Sequence, residues 1–245
     1  MRIFRVLTVA LLTLAGSWCC YYAYLSWRDI NDPALVATLI AISIGLHEFA
    51  HWVVLEMNRV RAKMYFIVVV GGVQPEDVNR YLRLHWSDQA MVAMAGLITN
   101  AGLIMWACVS YAVGDIERRT YEVMASINAN LIWFNLIPFF ITDGARLMML
   151  LFDSTPEKKD GKLMLIIFLL LVGVRVAVYI GTGHFNPIDI FFFLWALRYR
   201  ATHDKPQGSR SPKAMSPASR RRWVAVYVAL LALAMYILAV TPSWL

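Results

Sequence analysis

The chain has 245 residues, of which 60% are hydrophobic and only 16% charged, and its formal net charge is +7. A soluble domain of this length carries about a quarter charged residues, and here the apolar residues are gathered into long runs, which excludes a soluble monomer. The basic residues stand in short segments between those runs and form no nucleic-acid motif, so the +7 excludes nucleic acid as a partner and points to the lipid bilayer instead.

An α-helix needs about 20 apolar residues to cross the hydrocarbon core. Taken in chain order, spans are expected at roughly 4–27, 33–57, 88–113, 119–152, 163–182, 186–198 and 223–243. The first follows Arg2 and Arg5 like a signal peptide, but its apolar run continues through CCYYAYLSW with no small-residue cleavage site, which favours an anchor. The sixth is short, and a re-entrant half-helix competes with a full crossing there. Cys19, Cys20 and Cys108 all lie in apolar runs and read as small packing residues.

Orientation follows from Lys and Arg counts. A cytoplasmic N-terminus gives that side eighteen basic residues and leaves the other side Arg28, Arg118 and Arg119. Two segments do not read as spans. Residues 63–75, KMYFIVVVGGVQP, are β-branched and aromatic with a Gly-Gly break, the pattern of a strand or hairpin, which must lie against protein, the interface or a groove. Residues 201–221 are rich in Pro, Ser and basic side chains, as in a disordered linker that can touch anionic headgroups. The expected fold class is an all-α polytopic membrane protein of about six or seven transmembrane helices with a small membrane-associated β hairpin. Its expected divisions are an anchor over 1–32, a catalytic three-helix core over 33–152 with the hairpin near 62–75, accessory helices over 153–200, a basic cytoplasmic linker over 201–222 and a last transmembrane helix over 223–245.

The sharpest chemical signal is His47-Glu48-Phe49-Ala50-His51. Four helical residues rotate about 400°, so both imidazoles leave one face one turn apart. That spacing lets two nitrogens hold one Zn²⁺ at about 2.0–2.1 Å while the intervening Glu48 reaches a water beside it. The surrounding run, SIGLHEFAHWVVL, is otherwise apolar, where three ionisable groups are costly without partners.

A two-histidine zinc site needs a third protein ligand. Asp143 stands alone in the apolar stretch 135–152, NLIPFFITDGARLMMLLF, where Pro138 should break the helix and Gly144 permits close backbone approach. His51 lies about 9 Å from the cytoplasmic end of its span, and Asp143 lies about ten residues in from the same side, so parallel helices can bring them level. An ion pair between Asp143 and Arg146 is the plainer reading of the same residue, and Arg146 can also snorkel to the interface. His85 and His203 stand in polar segments, and His184 lies in a loop on the far side.

Three motifs in order make residues 36–152 resemble the site-2 protease family of intramembrane zinc metalloproteases. His47–His51 matches the family's zinc motif. Asn135-Leu-Ile-Pro138 followed by Asp143-Gly144 matches its Asn-x-x-Pro…Asp-Gly element, and Ala95-Gly96-Leu97-Ile98-Thr99-Asn100 is similar to its Gly-Pro-x-x-Asn helix, with Leu97 in place of the proline. The resemblance implies Asp143 as third ligand and Asn100 as a residue that holds substrate or stabilises the oxyanion; a plain interhelical hydrogen bond is the other reading of Asn100 and of Asn135. It also implies hydrolysis of peptide bonds in or near transmembrane helices, with Zn²⁺ as cofactor, Glu48 as general base and single-span membrane proteins as substrates. The compactness of the chain points to a bacterial cytoplasmic membrane. Regulation would then come from separate partner proteins. Three rival readings remain: a CaaX-processing type of membrane zincin with Glu122 as distant ligand, a divalent-metal transporter, and a family member that has lost proteolysis and acts as a membrane-binding partner, against which the intact His-Glu-His-Asp set argues.

Overall fold

The structure is a computed structural model, and it describes residues 2–28, 30–67, 70–137, 142–152, 173, 180 and 215–241. Its elements in chain order are α1 (Arg2–Trp27), α2 (Pro33–Met57), β1 (Ala62–Ile67), β2 (Val70–Pro75), α3 (Val78–Leu82), α4 (Trp86–Ala112), α5 (Arg118–Leu136), α6 (Asp143–Phe152) and α7 (Pro217–Val240). Among the described residues, α1, α2, α4 and α7 are long and apolar enough to cross a bilayer. This is an integral membrane protein. Apart from residues 173 and 180, the span expected at 163–182 lies outside the described residues, as do the span at 186–198 and the linker over 201–214.

Several helices begin where the sequence supplies a cap. Asp32 precedes Pro33 and accepts a hydrogen bond from the Leu35 N–H at 3.2 Å, so α2 opens on a side-chain cap and a proline at its first position. His85 caps α4 in the same way, its Nδ1 accepting from the Ser87 N–H, which gives this histidine a local structural task. Ser216 caps α7 ahead of Pro217. α7 therefore starts six residues before the expected span, and Arg220, Arg221 and Arg222 form part of its first turns instead of a linker, where long basic stems can snorkel.

The expected fourth span, 119–152, is two helices. α5 stops at Leu136 and α6 starts at Asp143. α5 is also not among the four apolar helices, because it packs against α2, α4 and α7 and carries Ser126, Asn128, Asn130 and Asn135. A helix shielded by other helices needs no apolar coat.

The two strands form one antiparallel sheet in which Ala62 faces Pro75 and Phe66 faces Gly71. Gly71 and Gly72 were expected to mark a break, yet both lie inside β2. Close packing requires them there. A Cβ on Gly72 would meet the Tyr65 ring at 2.9 Å, and one on Gly71 would meet the Glu48 carboxyl at 2.8 Å. The sheet rests on α1 and α2, and one side of β1 is tied to α1 by the Phe66 N–H, which donates to Thr13 Oγ1 at 3.2 Å. Two apolar clusters flank the middle of the molecule: one joins α1, α2 and the hairpin to one side of α4 and α5, the other joins α4, α5, α6 and α7.

Candidate metal centre

α2 presents His47 and His51 one turn apart on its inward face, and both are 4% exposed. α4 crosses directly over them at Gly96. A Cβ there would stand 2.5 Å from Nε2 of both histidines, so only a glycine lets α4 approach this closely. Asp143 arrives from α6, where Thr142 stitches the helix start: its hydroxyl donates to the Ile137 carbonyl and accepts from the Ala145 N–H. Gly144 sits against the Leu136 carbonyl, leaving no space for a Cβ. From α7, the buried Tyr227 hydroxyl donates to that same Leu136 carbonyl at 2.7 Å, satisfying an acceptor that the end of α5 leaves free.

The result is a tight triangle. Asp143 Oδ2 lies 3.2 Å from His47 Nε2 and 3.1 Å from His51 Nε2, and the two Nε2 atoms are 3.2 Å apart. Two atoms each about 2.0–2.1 Å from one tetrahedral ion stand about 3.3–3.4 Å apart, and all three separations fall just short of that. The ring orientations agree. His47 Nδ1 lies 2.7 Å from Asn100 Oδ1, and His51 Nδ1 lies 2.6 Å from the Val92 carbonyl. The carbonyl can only accept, so the His51 proton sits on Nδ1 and the Nε2 lone pair faces the triangle, the arrangement that orients metal-ligating histidines. These residues fit a zinc ion held by two imidazoles and one carboxylate.

The remaining predicted residues fall as follows. Glu48 lies beside the pair, its carboxyl covered by Gly71 of β2. Asn100 is fully buried, with its Oδ1 on His47 and its Nδ2 donating to Asn128 Oδ1 at 2.9 Å, so both ends of the amide are engaged within the protein. Asn135 donates to the Leu131 carbonyl of its own helix. Asp143 makes its ion pairs with the imidazoles among the described residues, whereas Glu122 pairs with Arg118 at 2.7 Å. Pro138, His184 and His203 lie outside the described residues.

Sequence reading missed three contributors. Val92 acts through its backbone, which no residue type announces. Tyr227 comes from a distant apolar helix. Tyr81, on the short α3, lies within electrostatic reach of Arg146 and Asp143, and burial pushes its phenol up.

No protein-family model matches the chain. Stage IV sporulation protein FB of Bacillus subtilis strain 168 is 30% identical to it over 149 residues, which cover 58% of this chain and 50% of that protein. The chain thus spans about half the length of this relative.

Proposed function

We propose that this protein is an intramembrane zinc metalloprotease of the site-2 protease type, cleaving peptide bonds in or near the membrane segments of single-span proteins. The observation that carries this reading is the triangle of His47 Nε2, His51 Nε2 and Asp143 Oδ2 at 3.1–3.2 Å, inside a helix bundle and next to Glu48. The distant similarity to Stage IV sporulation protein FB supports the same family.

A zinc ion held there supplies Lewis acidity, lowering the pKa of a water to about 7 and polarising a carbonyl. In this reading His47, His51 and Asp143 are the ligands. Glu48 is the general base, taking the proton of the attacking water and returning it to the leaving amine. Water reaches the centre from the cytoplasmic side, since the N-terminus lies in the cytoplasm of a bacterial cell and the hairpin shares that side.

A helical substrate hides its carbonyls in hydrogen bonds to residues four ahead and must unwind before attack. β2 offers it a partner. It lies over Glu48 and has no strand on its outer side among the described residues, while β1 is occupied by β2 and α1. An unwound segment pairing with β2 would run its backbone past the general base. In this reading Asn100 is a positioning residue, acting through its bond to His47. The pairing of Glu122 with Arg118 counts against the CaaX type, which needs Glu122 as a ligand.

The test is cleavage of a panel of single-span membrane proteins in proteoliposomes by the wild-type chain and by Glu48→Gln. Cleavage by the wild type alone is expected. Ion flux through the wild-type chain that Glu48→Gln impairs, with no cleavage by either, would replace the protease with the transporter.

A further inference from the structure

Three buried side chains continue outward from His47. Asn100 Nδ2 donates to Asn128 Oδ1 at 2.9 Å, and Asn128 Nδ2 donates to Ser43 Oγ at 3.0 Å and to the Met124 carbonyl at 2.9 Å. Ser43, Asn100 and Asn128 are all 0% exposed. The chain of bonds leaves α2 at His47, passes through α4 and α5, and returns to α2 at Ser43, one turn before it started.

One group in this chain sets the direction of every other. The Met124 carbonyl can only accept, so the amide nitrogen of Asn128 must face it. That leaves Asn128 Oδ1 toward Asn100 and requires Asn100 to point its own nitrogen at it. Asn100 Oδ1 is then the atom facing His47, and it accepts only from a protonated Nδ1. His47 is thereby held with its Nε2 lone pair toward His51 and Asp143. His51 needs no such relay, because a backbone carbonyl meets its Nδ1 directly.

The geometry points to Asn128 as a positioning residue for the metal: it acts through Asn100 to fix the tautomer and ring orientation of His47. This rests on the zinc site proposed above. Leaving the relay without its outer member would let the Asn100 amide turn and place a donor against His47 Nδ1, which favours the tautomer that cannot ligate through Nε2. Partners of metal-ligating histidines outside the coordination sphere are worth roughly 10–100-fold in metal affinity.

The test uses the full chain purified in detergent, with zinc affinity read by competition against a chromophoric chelator and ligand geometry read from the visible band of the Co²⁺-substituted protein. Asn128→Leu should weaken zinc roughly 10–100-fold and alter the Co²⁺ band. Asn130→Ala, two residues away on α5 and bonded, among the described residues, to the Ser126 carbonyl of its own helix, should leave both unchanged. Because Asn128 acts through Asn100, adding Asn128→Leu to Asn100→Ala should cost less than about twofold more. If Asn128→Leu does not fold, Asn128→Ser, whose hydroxyl stops short of Asn100, is read the same way with the same expected loss. A folded variant with wild-type zinc affinity and an unchanged Co²⁺ band would overturn the inference, as would fully additive losses in the double variant. A wild-type chain that binds no zinc would instead bring down the metal site itself.

Discussion

α1 and α5 both pack against α2, yet they are built on opposite plans. α1 turns Phe4, Leu11, Leu12 and Trp27 outward, each 66–79% exposed, and carries no part of the centre. α5 buries Ser126, Asn128 and the paired Glu122, and fails as an apolar span among the described residues. In a soluble protein this distribution would be inside out. In lipid, apolar side chains mark the boundary, and polar groups must find partners within the protein. Where polarity is buried, function and specificity concentrate; where it is absent, the helix serves as a wall.

That contrast can be broken by substitutions of descending effect. In the polar interior, Glu48→Gln should reduce cleavage by about 10²–10⁴-fold while zinc content stays at the wild-type level, as single-turnover assays and metal analysis on the same preparation would show. Equal loss of both would mean that Glu48 holds the site together instead of moving a proton. Gly96→Ala comes next. Its new Cβ would press on the Nε2 atoms of His47 and His51, which Asn100 and Val92 keep from swinging away, so a loss of about 1–3 kcal/mol in stability with weakened zinc binding is expected in thermal unfolding and metal titration.

Tyr227→Phe tests the junction between wall and interior. It removes one hydroxyl from the lipid-side helix α7 and leaves the Leu136 carbonyl without that donor, which should cost about 1–2 kcal/mol in thermal stability. On the wall itself, Leu12→Ala at 70% exposure should stay within about 0.5 kcal/mol. A larger loss there would show that α1 packs against something beyond the described residues.

The sequence was most legible where spacing and chemistry coincide. The i, i+4 histidines had to share a helix face, and a lone carboxylate beside a Pro-x₄-Asp-Gly stretch had to be presented at a break, so the neighbourhood of His47, His51 and Asp143 could be read before any coordinates. The hairpin was legible from its β-branched run, though its glycines were misread: Gly71 and Gly72 lie within β2 because Glu48 and Tyr65 occupy the space above them, and no local pattern encodes a contact across two elements. The division of 119–152 was anticipated from Pro138, which lies outside the described residues, but the polar character of α5 was averaged away by reading the stretch as one apolar span. Asn128 and Tyr227 were invisible for a related reason. A single polar residue in a membrane helix declares that it needs a partner, and only the packing of α4 and α7 against α5 says which one.

The central claim is that side chains from α2 and α6 grip one metal ion, and zinc stoichiometry of the purified full chain tests it most directly. The wild-type chain and Glu48→Gln should each carry about one zinc, and Asp143→Ala should carry almost none while remaining folded. Zinc retained at wild-type affinity by Asp143→Ala, or absent from the wild-type chain after purification in zinc-replete buffer, would contradict it.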